Sequence, residues 1–235
     1  MTRPPESPHD APTVAVPSRG PVGYRLAKAV LSRPLRAVYR VRVEGLDHLP
    51  DNGPVILVAN HRSFMDSIFL ALTTPRPIAF LAKAEYFESR LTRWLFRLTG
   101  QIPLRRGSPA GARDALAAGA SVLDEGGIVG IYPEGTRSRD GKLHRGNRGP
   151  ARLARTTGAP IVPVGLIGTD AVQQPDERVP HPFRTVTVRF GQARRVSEAD
   201  ESDAALLRVT TDVVMHDIAD LCGQQYDDHY AKAPT

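Results

Sequence analysis

The sequence predicts an α/β fold: a single domain with a mostly parallel central sheet flanked by helices, preceded by an N-terminal basic amphipathic helix. Three observations predict it. Short apolar runs alternate with stretches of helical periodicity, the order of strand–helix–strand units. Several of those runs are continuously apolar, which marks strands covered on both faces. The 235 residues suffice for one well-buried core, and 41% hydrophobic against 24% charged residues is an ordinary globular balance.

Taken in order, residues 1–20, "MTRPPESPHDAPTVAVPSRG", are rich in proline and polar residues and are expected to form a disordered leader. In "PVGYRLAKAVLS" the residues Val22, Leu26, Ala29 and Val30 share one helical face, and the pattern is expected to stop at Pro34. Seven cations and no acid occupy the span from Arg19 to Arg42. Residues 21–39 therefore read either as an interfacial helix on an anionic membrane surface or as a helix packed on its own domain with a solvated basic face.

The domain proper is placed at 40–222. "RVRVEG" alternates like an edge strand, and "PVILVAN", Pro54 to Asn60, is a buried one. A helix from Ser63 to Leu72 follows, then the strand "PIAFLAK" and a helix over Glu85–Thr99 with Phe87, Leu91, Trp94, Leu95 and Leu98 in register. "QIPLRRG" is a short strand end. Ser108 and Pro109 open the next helix as N-cap and first residue. The strand "IVGI" leads into a polar loop. A helix near Pro150–Thr157, the strands "APIVPVGLIG" and "TVTVRFG", and a closing helix near Ala199–Leu221 complete the domain, with 223–235 as a tail.

The 31 Lys and Arg against 25 Asp and Glu leave a net charge of +6, which favours anionic partners. Cys222 is the only cysteine, so neither an intramolecular disulfide nor a cysteine zinc cluster is available, and a reducing compartment fits. No run approaches the roughly 18 apolar residues of a spanning helix. No metal site and no resident cofactor are expected.

Binding sites in such sheets lie at the carboxyl ends of strands. Three polar segments fall there: Asn60–Asp66, Arg105–Gly107 and Pro133–Ser138. In "NHRSFMD" a helix starting at Ser63 would let the imidazole of His61 fold back onto Asp66. The same residues also resemble a capping box, in which Asp66 satisfies a backbone N–H and needs no histidine. Glu134, Gly135, Thr136 and Arg137 in "YPEGTRS" combine a carboxylate, backbone freedom, a hydroxyl and a guanidinium, a set able to bind a phosphate and a neighbouring hydroxyl. Alone, that segment would read sooner as a surface turn with a salt bridge.

Together these blocks resemble the glycerolipid acyltransferase family that includes the 1-acylglycerol-3-phosphate acyltransferases. "NHRSFMD", "GQIPLRRG", "YPEGTRS" and "APIVPVGLIG" follow that family's four blocks in order, and "LAKAEYF" resembles its lysine-containing segment, with Lys83. The similarity runs from about Arg40 to Gly191. Tyr132 stands where phenylalanine is commoner, and alignment favours Arg106 over Arg105 as the phosphate-binding arginine.

The resemblance implies transfer of a fatty acyl group from acyl-CoA or acyl carrier protein to the hydroxyl of a lysophospholipid, with 1-acylglycerol 3-phosphate giving phosphatidic acid. His61 would be the general base, Asp66 would fix its tautomer, and Arg106 with Arg137 would hold the phosphate. Glu134 would orient the acceptor or Arg137, and Ser63 would cap a helix rather than attack, since no Gly-x-Ser-x-Gly elbow is present. Peripheral attachment to the cytoplasmic face of a membrane, with no nucleic-acid partner, completes the expectation. The alternatives are another acceptor, such as glycerol 3-phosphate, a different lysophospholipid or a glycolipid, and a non-catalytic protein binding anionic lipid.

Overall fold

The computed structural model describes residues 22–83, 101–104, 109–196 and 203–232. Helix α1, Val22–Val38, precedes strand β1, Arg40–Glu44. A 3-10 turn at Leu46–His48 leads to β2, Val55–Ala59, α2, Met65–Thr73, and β3, Ile78–Lys83. Then come β4, Ile102–Leu104, α3, Pro109–Asp124, β5, Ile128–Ile131, and β6, Leu143–His144. Helix α4, Gly149–Thr157, β7, Ile161–Ile167, the short α5, Thr169–Val172, β8, Thr185–Phe190, α6, Asp203–Cys222, and β9, Tyr226–Asp227, follow.

The main sheet has seven strands in the order β1-β8-β7-β2-β5-β3-β4. From β7 to β4 every pairing is parallel; β8 runs antiparallel to β7, and β1 lies parallel to β8 at the edge. One edge of the sheet thus gathers the carboxyl ends of the five parallel strands with the amino ends of β1 and β8.

Alternation along each strand feeds two cores. Val55 and Leu57 of β2 and Val162, Val164 and Leu166 of β7 pack with Phe69, Leu70 and Leu72 of α2, and Leu35 and Val38 of α1 close that side. Ile56, Val58 and Ile161 point the other way, against Val122 and Leu123 of α3, Leu153 of α4 and Met215 and Ile218 of α6. Every residue of β2 is buried because both faces are covered, which is why its sequence carries no polar alternation. Each such aliphatic side chain contributes roughly 1.5–3 kcal/mol. At Gly165 a Cβ would stand 2.7 Å from the Leu221 backbone, so glycine admits the end of α6 onto β7.

Four local expectations are revised. Helix α1 does not stop at Pro34 but continues to Val38, since Leu35 and Val38 gain packing on the core that offsets the missing proline N–H. Its inward residues are Tyr24, Leu35 and Val38, whereas Leu26 and Val30, assigned to the apolar face, are exposed. Helix α2 begins at Met65, two residues beyond Ser63. The stretch read as a tail is paired into the body over its described residues: β9 runs parallel to β6, and Arg145 N–H donates to His229 O at 3.0 Å. The helix expected at Glu85–Thr99, the leader 1–20, Ser108 and the arginines at 105 and 106 lie outside the described residues.

Candidate active site

Strand β2 delivers Asn60 and His61 to the collecting edge of the sheet. Asn60 is fully buried and acts as a surrogate peptide: its Oδ1 accepts from Leu166 N–H at 2.7 Å and its Nδ2 donates to Leu166 O at 2.9 Å. The same Nδ2 donates to Gln224 Oε1 at 2.7 Å, and Gln224 Nε2 donates to Gly141 O at 2.8 Å. The residue before His61 is therefore tied to β7 and to the chain after α6.

His61 Nδ1 lies 2.8 Å from Asp66 Oδ2. That oxygen also accepts from Arg62 N–H and Ser63 N–H, each at 2.8 Å. Cap and dyad are thus one arrangement rather than rivals, because one carboxylate oxygen serves the turn and the ring together. With two backbone donors already on it, Oδ2 is an acceptor, so Nδ1 carries the proton and Nε2 keeps its lone pair. Among the described residues Nε2 has no partner, and the His61 side chain keeps 14% of its surface exposed while Asp66 has none. Asp66 Oδ1 is buried without a hydrogen bond.

Ser63 is consumed locally. Its N–H goes to Asp66 and its Oγ accepts from Met65 N–H at 3.2 Å, so the hydroxyl caps α2 from two positions before it.

The "YPEGTRS" segment clasps His61 by its backbone. Glu134 Oε1 accepts from His61 N–H at 3.2 Å, and Ser138 N–H donates to His61 O at 2.7 Å. Glu134 Oε2 accepts from His144 N–H at 3.0 Å, which joins the clasp to β6. Both Glu134 oxygens thus meet backbone donors, and Arg137, one of the two groups it was expected to orient beside the acceptor, is not its partner here. Burial pushes its carboxyl up from 4.5 to about 8, against the pull of the two N–H groups and with the help of nearby Asp66 and Asp140.

Gly135 turns the loop in the left-handed region, φ 73, where a side chain would strain the backbone and a Cβ would come 3.3 Å from Asn147 Nδ2. Thr136 and Arg137 follow, half-buried, between the two residues that grip His61. Arg137 has no ion pair among the described residues, which leaves its guanidinium available to an anion. The N–H groups of Gly135 and Ser63 are engaged by Tyr132 O and Asp66 respectively.

Sequence reasoning missed a platform. Tyr132 stacks on the His61 ring with centroids 3.9 Å apart and planes 13° from parallel. Its hydroxyl shares a 2.8 Å hydrogen bond with Ser67 Oγ, and Phe80 stacks behind it at 6.0 Å. Burial, then the charge of Asp66, raise the phenol well above its ordinary range and keep it neutral. The signal available was the hydroxyl at position 132 facing a serine on the first turn of α2.

Arg62 pairs with Asp170 of α5 at 3.0 Å, linking the histidine turn to the end of β7. Lys83 ends β3, and its side chain is outside what the structure describes. Strand β4 ends at Leu104 on the same edge as Ala59, three strand spacings or about 14 Å along the sheet. Among the described residues no three of His, Cys, Asp and Glu converge as a metal site.

A model of the Acyltransferase family matches residues 40–167, more than half of the sequence. The chain belongs to the Acyltransferase family. Among relatives, it is 33% identical over 157 residues to the chloroplastic 1-acyl-sn-glycerol-3-phosphate acyltransferase LPAT1 of Arabidopsis thaliana, covering 66% of this chain and 44% of that one. To the chloroplastic 1-acyl-sn-glycerol-3-phosphate acyltransferase BAT2 of Brassica napus it is 33% identical over 148 residues, 63% of this chain and 43% of the relative. The match spans less than half the length of either plant protein. The crystal structure of the 1-acyl-sn-glycerophosphate (LPA) acyltransferase PlsC from Thermotoga maritima superposes with a TM-score of 0.64 at 27% identity, over 84% of this chain and 82% of that one. The α/β architecture with its mostly parallel sheet is therefore that of an acyltransferase.

Proposed function

We propose that this acyltransferase moves a fatty acyl group from a thioester, acyl-CoA or acyl carrier protein, to the free hydroxyl of 1-acylglycerol 3-phosphate, giving phosphatidic acid. The observation that carries the reading is the His61 ring, fixed through Nδ1 by a buried carboxylate and open at Nε2. The names of the relatives point to the acceptor, and the arginine of the clasp supports a phosphorylated one.

In this mechanism Nε2 takes the proton of the acceptor hydroxyl as its oxygen attacks the thioester carbonyl. Asp66 stabilises the imidazolium, and the stacked Tyr132 ring keeps it in plane. The tetrahedral intermediate collapses with loss of the thiolate, which recovers the proton from Nε2–H. Ester and free thiol are the products. No acyl-enzyme forms, because the thioester is already activated and Ser63 Oγ is occupied. Arg137, with Arg106 from the block after β4, neutralises the acceptor phosphate. Lipid substrates place the enzyme on a membrane surface, and the basic α1 is the segment suited to hold it there. No helix among the described residues is long and apolar enough to cross a membrane.

Incubation of the protein with labelled acyl-CoA and a panel comprising lysophosphatidate, other lysophospholipids and glycerol 3-phosphate tests the reading. Labelled phosphatidic acid with stoichiometric thiol release is expected. Label appearing only as free fatty acid would overturn the transferase assignment, and label on another acceptor would reassign the substrate.

A further inference from the structure

We infer that the loop between α5 and β8, residues 173–184, is a lipid-docking element that sets Phe183 and Val179 into an anionic bilayer beside the mouth of the His61 site. This rests on the lipid substrate class proposed above and adds a surface that the reaction itself does not require.

Phe183 is 78% exposed and Val179 73%, more than any other large apolar side chain described. Phe183 also sits at φ 59, the only described non-glycine residue in the left-handed region, where a bulky aromatic is an outlier. Its N–H donates to Val38 O at 3.1 Å, so the loop is fastened to the end of α1 in this strained form. The fold gains no core packing from that ring. An aromatic held rigidly in solvent gains its free energy from an apolar phase outside the chain.

The surrounding charge says which phase. Arg36, Arg40 and Arg184 are exposed and have no acidic partner among the described residues, while the loop's own acids are engaged, Asp176 by Arg139 and Glu177 by His181. Arg36, Arg40, Tyr39 and Phe183 line a cleft of about 460 Å³. An apolar tip ringed by free guanidinium groups complements a layer of anionic head groups over acyl chains. The same ring of like charge opposes a second copy of this chain.

Leu26 and Val30 of α1, the helix whose end holds the loop, are exposed as well. The loop also lies on the edge of the site: Thr185 and Arg40 begin their strands on the edge where His61 emerges, Asp176 ties the loop to Arg139, and Asp170 of the preceding α5 pairs with Arg62. A bilayer touching Phe183 would face the sheet edge on which His61 emerges.

The test uses the full chain and Phe183→Asn, a change that relieves the backbone strain and therefore does not threaten folding. Flotation on phosphatidylcholine vesicles with and without phosphatidylglycerol measures partition without turnover. We expect tighter binding to the phosphatidylglycerol vesicles, a roughly ten-fold weaker partition for Phe183→Asn on both, and unchanged transfer to a water-soluble short-chain lysophosphatidate. Equal partition of the two proteins overturns the inference, as does a Phe183-dependent dimer in vesicle-free buffer, which would assign the patch to a second copy. Absence of acyl transfer alongside Phe183-dependent flotation would count against the proposed reaction and leave the docking element standing.

Discussion

Asp66 carries two jobs on one oxygen, and this separates its substitution from that of His61. Asp66→Asn still offers an acceptor to the two backbone N–H groups but loses the charge that would stabilise the imidazolium of the proposed mechanism. A drop in kcat of about 10² to 10⁴ with little change in KM is expected, as for His61→Ala. Steady-state kinetics with a folded circular dichroism spectrum check it. Glu134 yields a pH prediction. Its carboxyl is raised from 4.5 to about 8 in the folded state, so the native protein holds the extra proton; the associated stability is present below pH 4.5 and lost as pH rises through about 8. Glu134→Gln should remove that decline, and urea midpoints across this range would show a flatter profile for the variant. An unchanged slope would assign the pH dependence elsewhere. The members of this cluster were legible in sequence because His61, Asp66 and Ser63 lie within six residues. The partners of Asn60 were not, since Leu166 and Gln224 stand 106 and 164 positions away and no local spacing encodes them.

At the scale of elements, periodicity found strands whose both faces are covered and helices with a clear apolar side, which is why β2, β3, β5 and β7 fell where expected. It failed where packing overrode a local rule. Proline 34 stays helical because the next turn of α1 reaches the core, and two-residue strands such as β6 and β9 are too short to carry a period. That small pair matters to the site, because it brings Gln224 under the histidine turn. Gln224 bridges Asn60 and Gly141 with two hydrogen bonds. Removing both by Gln224→Ala should cost about 1–3 kcal/mol, measured by urea unfolding, and should lower kcat more than it raises KM, since what loosens is the peptide preceding His61, the proposed base. A loss of stability with kcat unchanged would mean that Asn60 is held well enough by β7 alone.

For the whole molecule, the distribution of charge matters more than its sum. The net +6 is modest, yet Arg25, Arg33, Arg36 and Arg40 are all exposed along α1 and its exit, beside the outward Leu26 and Val30. The core-facing residues of that helix are already engaged, so this outer surface adds nothing to folding. An interfacial helix needs both components, apolar area for depth and cations for anionic head groups. Each cation near such a surface contributes about 1 kcal/mol, so Arg25, Arg33 and Arg36 changed together to Gln should weaken binding to phosphatidylglycerol vesicles by roughly 10²-fold. Binding to pure phosphatidylcholine should hardly move, because the apolar contact is intact. Raising ionic strength should erase the difference between parent and variant, since screening shortens the reach of these charges to about 10 Å at 0.1 M and less above it. Turnover of a water-soluble acceptor should be the same in both proteins, while the apparent KM for vesicle-borne lysophosphatidate rises in the variant. If the variant instead loses turnover of the soluble acceptor with its vesicle binding unaltered, these arginines serve the substrate pocket, and the membrane-facing side of the enzyme must be sought elsewhere.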